Sequence, residues 1–104
     1  MTDSLSVILE ITSGVYDGAV YKLQSFPIKI GRAYENDVAI PFEVPASRNH
    51  AQIIKDGYQI SLVDLNSTNG TFLNESKVSD KKDLMAGDII RIGSVKILCS
   101  FAYD

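Results

Sequence analysis

With 104 residues, 45% of them apolar, and a net charge of −3, the chain is sized for a single domain, 1–104, built on one modest core. The composition argues against disorder, and the acidic balance argues against a nucleic-acid binder, which is basic on at least one face. No apolar run approaches membrane-spanning length, so no direct membrane insertion is expected.

The start, Met1-Thr2-Asp3-Ser4, is polar and acidic, and no signal peptide follows it. Leu5 to Thr12 is rich in β-branched residues and reads as a strand with Val7, Leu9 and Ile11 on one face. Ser13-Gly14 ends it and Asp17-Gly18 marks a second turn. Ala19 to Leu23 alternates again, with Tyr21 and Leu23 on one face and Val20 and Lys22 on the other. Pro27 opens the short strand Ile28-Lys29-Ile30, which runs into Gly31-Arg32; Asn36-Asp37 is a turn signal before Val38-Ala39-Ile40. The segment from Pro41 to Asn49 holds two prolines and no periodicity, which predicts a loop. Ala51 to Lys55, Asp56-Gly57 and Tyr58 to Val63 predict a hairpin, with Asp-Gly expected to supply the two positive φ angles of a type I′ turn.

Asp64 to Thr71 connects this hairpin to the short run Thr71-Phe72-Leu73. Lysine-rich polar chain follows from Asn74 to Lys82, then Leu84 to Asp88 turns into Ile89 to Ile92, and Gly93-Ser94 leads to a last strand from Val95 to Phe101. Cys99, the one cysteine, lies in that strand; it is expected to be a buried packing thiol, it permits no internal disulfide, and it fits a reducing, cytoplasmic compartment. Helical periodicity is nowhere sustained, and short strands succeed one another at turn-bounded intervals. The fold class is therefore all-β, a largely antiparallel sandwich or barrel, in which the first and last strands are expected to pair.

Little in the chain supports catalysis. The single histidine, His50, follows Ser47 by three residues but opens a strand, where a structural role is expected over general-base chemistry. One His, one Cys and scattered turn acids leave no metal ligand set. Gly31 and Gly70 are isolated, so no nucleotide-cradling loop exists and no cofactor is implied. Asp64 and Asp88 could pair as acids, yet each stands where a turn aspartate is expected.

Binding is better served. Asn66, Ser67, Thr68, Asn69 and Thr71 build a stiff, self-bonded loop, with Gly70 free to take positive φ. In a sandwich this loop can share one end with Gly31-Arg32 and Ser47-Arg48-Asn49-His50. Two guanidinium groups, hydroxyls, an amide and backbone N–H groups would then converge, which is the chemistry of a dianion site. Taken singly, each arginine reads first as a solvated surface charge.

The set Gly31-Arg32, Ser47-Arg48-Asn49-His50, Asn66-Ser67-Thr68-Asn69-Gly70-Thr71 with Asn74, and Leu84, Gly87-Asp88, Ile90 and Ile92-Gly93 resembles the forkhead-associated (FHA) domain over nearly the whole chain. The resemblance implies an eleven-stranded, two-sheet β-sandwich that binds phosphothreonine peptides through loops at one end, without catalysis, in signalling or its regulation. It implies that Arg32 and Ser47 hold the phosphate, Arg48 lies alongside phosphate or peptide, Thr68 adds a phosphate contact, and Asn69 grips the peptide main chain. Gly31, His50 and Gly70 match its architectural positions. The implied partner is a phosphothreonine-containing protein or peptide, with the domain part of a larger protein or kinase-linked assembly. Two features depart from the common pattern: Pro45-Ala46 stands where a larger branched residue often precedes the serine, and Glu35 would oppose an acidic ligand. The rival expectation is a phosphate-independent interaction or self-association domain using Phe42-Glu43-Val44.

Overall fold

Apolar residues alternating with period two place one face of each long strand against a common core. The structure, a computed structural model, describes residues 4–103; Met1 to Asp3 and Asp104, and with them the expectation for the polar start, lie outside the described residues. In chain order the strands are β1 (Leu5–Ile11), β2 (Val20–Leu23), β3 (Ile28–Gly31), β4 (Val38–Ala39), β5 (Ala51–Asp56), β6 (Gln59–Asp64), β7 (Phe72–Leu73), β8 (Ser76–Lys77), β9 (Lys81–Asp83), β10 (Ile89–Ile92) and β11 (Val95–Tyr103). They form two sheets, β2-β1-β11-β10-β7-β8 and β4-β3-β5-β6-β9. The described pairings are antiparallel except β3 with β4.

Val7, Leu9 and Ile11 of β1 are fully buried and join Ile28, Ile30, Ile53, Leu62, Ile90, Ile92, Ile97 and Cys99 in one cluster between the sheets. Each such side chain contributes about 1.5–3 kcal/mol by leaving water. Tyr21 and Leu23 pack against the cluster from β2. The first and last strands pair as expected, from Leu5↔Tyr103 to Ile11↔Ile97.

One local expectation needs correction. The β5–β6 hairpin forms, but Asp56 pairs with Gln59, so the loop is Gly57-Tyr58. Only Gly57 there takes positive φ (63°), which suits a turn with glycine in first place and not a type I′ turn on Asp56-Gly57. Two consecutive positive φ angles occur instead at Asn74 (49°) and Glu75 (67°), between β7 and β8, where Leu73 pairs with Ser76. The sequence of the lysine-rich polar stretch after Asn74 assigns it no element. It supplies β8 and β9, exposed throughout, on sheet edges where lysine discourages further pairing.

Leu5, Lys55, Tyr58 and Tyr103 surround one hollow, so the β5–β6 tip shares an end with the start of β1 and the end of β11. The chain enters β5 and leaves β6 at the opposite end, and the candidate loops gather there.

Candidate functional site

Strand β3 delivers Gly31 and Arg32 to this end. The Arg32 N–H donates to the Ser47 carbonyl at 3.0 Å, and the Ala33 N–H donates to the Arg48 carbonyl at 3.2 Å. A Cβ on Gly31 would overlap the Arg48 carbonyl oxygen, so the close approach of the two loops requires glycine. The Arg32 side chain is tethered at Nε, which donates to the Ala46 carbonyl at 3.0 Å. Among the described residues its two terminal nitrogens find no hydrogen-bond acceptor. Ala46 is itself buried, so the small residue before Ser47 packs inward while its carbonyl steers the arginine.

The loop from Pro41 to Asn49 is fixed by His50, which is fully buried. The Ser47 N–H donates to His50 Nδ1 at 2.9 Å, and His50 Nε2 lies 2.9 Å from the Gly70 carbonyl. Nδ1 accepts a bond from an amide, so the ring proton sits on Nε2 and donates to Gly70. Both nitrogens are consumed by backbone. The ring meets the Ser47 amide and not its hydroxyl, so His50 cannot serve Ser47 as a general base. It ties the 41–49 and 64–71 loops together instead.

Asp64 organises the third loop. Its carboxylate accepts from the Ser67 N–H at 3.2 Å, the Ser67 hydroxyl at 2.6 Å and the Thr71 hydroxyl at 2.6 Å. The Ser67 oxygen in turn accepts from the Gly70 N–H at 3.0 Å. Burial pushes the Asp64 carboxyl pKa up, but the bonds from Ser67 and Thr71 outweigh it and hold the group below its ordinary value. Asp88 has other partners, the Met85 amide and the Asn74 side chain, so the two acids form no pair. Among the described residues no three metal-ligating side chains come together.

The loops are stitched to one another. The Thr68 N–H donates to Ser47 Oγ at 3.1 Å, and Asn69 Nδ2 donates to the Pro45 carbonyl at 2.8 Å. The structure thus brings Arg32, Ser47, Arg48, Thr68 and Asn69 to one rim, with Gly31, His50 and Gly70 beneath it. Arg48, Thr68 and Asn69 are exposed, while Arg32 and Ser47 are half-buried. Two surface hollows lie elsewhere, both beside Gln24 and Ser25. The rim is an open surface of exposed and half-buried polar side chains.

Sequence reasoning missed two residues here. Asn36 passed as a turn signal, yet it is buried and bonds both the 32–36 turn and the 47–50 loop. Asp64 passed as a turn aspartate, yet it holds the whole 64–71 loop. The signal available for Asp64 was its run of hydroxyl neighbours at short spacing, which an aspartate can gather.

The FHA domain family pattern matches residues 28–93. The chain is 38% identical over 93 residues to the FHA domain-containing protein FhaA of Mycobacterium tuberculosis, covering 89% of this chain and 17% of that protein. It superposes with a TM-score of 0.80 on a structure solved in a study of phosphothreonine-dependent FHA domain interactions, at 37% identity over 91% of this chain and 95% of the other. EmbR of Mycobacterium tuberculosis, solved in complex with a low-affinity phosphopeptide, superposes with a TM-score of 0.82 at 28% identity, covering 91% of this chain and 24% of EmbR. The chain therefore spans a small part of the length of FhaA and EmbR.

Proposed function

This chain belongs to the FHA domain family, and from that premise we propose that its rim reads phosphothreonine in a partner protein, without catalysis, as an interaction module in signalling. The observation that carries this reading is the cross-loop lock of Ser47 Oγ with the Thr68 amide and of Arg32 Nε with the Ala46 carbonyl. That lock leaves a defined set of unspent donors. Among the described residues they are the terminal nitrogens of Arg32, the Arg48 guanidinium, the hydroxyl protons of Ser47 and Thr68, and one N–H of Asn69.

Arg32 and Ser47 bond the phosphate, Thr68 adds a hydroxyl, and Arg48 contributes charge beside phosphate or peptide. Two guanidinium groups balance a group that carries about −1.5 to −2 near neutral pH. Asn69 keeps its carbonyl oxygen and one N–H, enough to pair with a peptide unit. Preference for threonine over serine rests on burying one methyl group, worth about 0.8 kcal/mol. The unit that binds is residues 1–104, carried in a larger protein, as the greater lengths of FhaA and EmbR support, or in a kinase-linked assembly. A buried, unpaired Cys99 suits action in the cytoplasm, and among the described residues no helix is long and apolar enough to cross a membrane.

Titration of a peptide library in matched phosphothreonine and unmodified forms tests the proposal; equal binding to both would overturn it. A second reading, self-association independent of phosphate, is favoured by the exposure of Phe42 (74%) and Val44 (83%) beside the rim. Light scattering separates the two: assembly that survives Arg32→Ala supports self-association.

A further inference from the structure

We infer that Asn36 is a positioning residue for phosphopeptide binding, a clamp that sets the spacing between the loop carrying Arg32 and the loop carrying Arg48. The inference rests on the phosphothreonine reading above for its binding arm alone. The side chain is 9% exposed, and its Nδ2 donates both hydrogens, to the Ala33 carbonyl at 2.8 Å and to the Arg48 carbonyl at 2.8 Å. The first bond, with the Asn36 N–H to the same carbonyl at 3.2 Å, closes the turn that follows Arg32. The second crosses to the other loop.

Four bonds make this crossing: Arg32 N–H to Ser47 carbonyl, Arg32 Nε to Ala46 carbonyl, Ala33 N–H to Arg48 carbonyl, and Asn36 Nδ2 to Arg48 carbonyl. Two of the four come from side chains, and Asn36 supplies the one that ends on Arg48. Both lone pairs of the Arg48 carbonyl are then filled, which fixes the plane of the peptide unit that follows Arg48. The clamp also accounts for Gly31. A Cβ there would stand 2.9 Å from Asn36 Nδ2 as well as overlapping the Arg48 carbonyl, so the glycine makes room for donor and acceptor together. Asn36 itself reaches no ligand; it acts through the backbone beneath the two arginines.

The test compares the wild-type chain with Asn36→Ala in two measurements. Backbone hydrogen exchange should quicken at Arg32 and Ala33, whose N–H groups make the two backbone crossing bonds, while the β1 and β11 amides stay protected. Unchanged exchange at both positions overturns the clamp whether or not any phosphopeptide binds. Affinity for the best peptide from the phosphothreonine library should fall roughly tenfold, and by less than twofold when Asn36→Ala is made in an Arg48→Ala chain. A loss of equal size in both backgrounds overturns positioning and leaves a general structural role. If the wild-type chain binds no phosphopeptide, the functional reading fails, and exchange alone decides the clamp. Should Asn36→Ala unfold, Asn36→Asp, which keeps the shape and removes both N–H donors, carries the same two measurements.

Discussion

Replacing Asp64 with alanine should unfasten the 64–71 loop, and the cost can be worked from its bonds. Two hydroxyls and one amide end on this carboxylate, at 2.6, 2.6 and 3.2 Å. Thr71 is fully buried, so its hydroxyl is left without an acceptor, at about 1–3 kcal/mol. Ser67 is half-buried and can turn toward water, so its share is about 0.5–1.5 kcal/mol. Asp64→Ala should thus lose about 2–4 kcal/mol of the 5–15 typical of a small domain. Asp64→Asn keeps an oxygen for the two hydroxyls and forfeits the acceptor of the Ser67 amide, at about 1 kcal/mol. Binding should weaken as well, because the Thr68 amide and Asn69 would have to be ordered by the ligand.

Urea unfolding at neutral pH measures the first effect, and its acid limb gives a second reading. The folded Asp64 pKa is depressed, so the stability it confers is full above the unfolded value and is lost as pH falls through the folded one. Wild-type stability should therefore decline below about pH 4, and Asp64→Asn should lack that share of the decline. Equal urea midpoints for wild type and Asp64→Ala, or an unaltered acid limb in Asp64→Asn, would refute the assignment of Asp64 as the fastening point of the loop.

Arg32→Ala should weaken phosphothreonine peptide binding about tenfold to more than a hundredfold by calorimetry, since a bond to a charged group contributes about 1.5–3 kcal/mol. Arg91→Ala is the matched control: that guanidinium is engaged by Glu75 at 3.0 Å and lies over the Phe72 ring, so phosphopeptide affinity should not move. Affinity should also fall as pH drops below about 6, where the phosphate takes up its second proton; a flat profile from pH 7.5 to 5.5 would mean the rim does not need the dianion. Burial, with Asp88 nearby, pushes the Cys99 thiol up to about 12. Iodoacetamide should therefore leave it unmodified by mass spectrometry in the folded chain and alkylate it once urea unfolds the sheets.

Period-two burial made the long strands legible: Val7, Leu9 and Ile11 announce β1 because one face must leave water. The strands β8 and β9 have no buried face to announce them. They form because β7 and β6 present unpaired edges, a property of the assembled sheets and not of Ser76-Lys77 or Lys81–Asp83. The tight turn at Asn74-Glu75 was hidden for a similar reason. No glycine marks it, and its positive φ angles are held by remote partners: Asn74 bonds Asp88 and Ile89, and Glu75 meets Arg91.

The candidate site was legible as residue types and only partly as roles, because a role depends on which hydrogen-bonding capacity remains after the fold has taken its share. His50 carries the side chain most suggestive of chemistry, yet the Ser47 amide and the Gly70 carbonyl use both of its nitrogens. Asn36 looked like turn punctuation because its second acceptor, the Arg48 carbonyl, lies twelve residues away in the chain. Among the described residues the Arg32 side chain spends only Nε and the Asn69 amide only one N–H. A site for a doubly charged anion needs donors that the protein holds in place but does not satisfy. In this chain the internal bonds of Arg32, Ser47 and Asn69 do the holding, and the donors they leave over lie on a single rim.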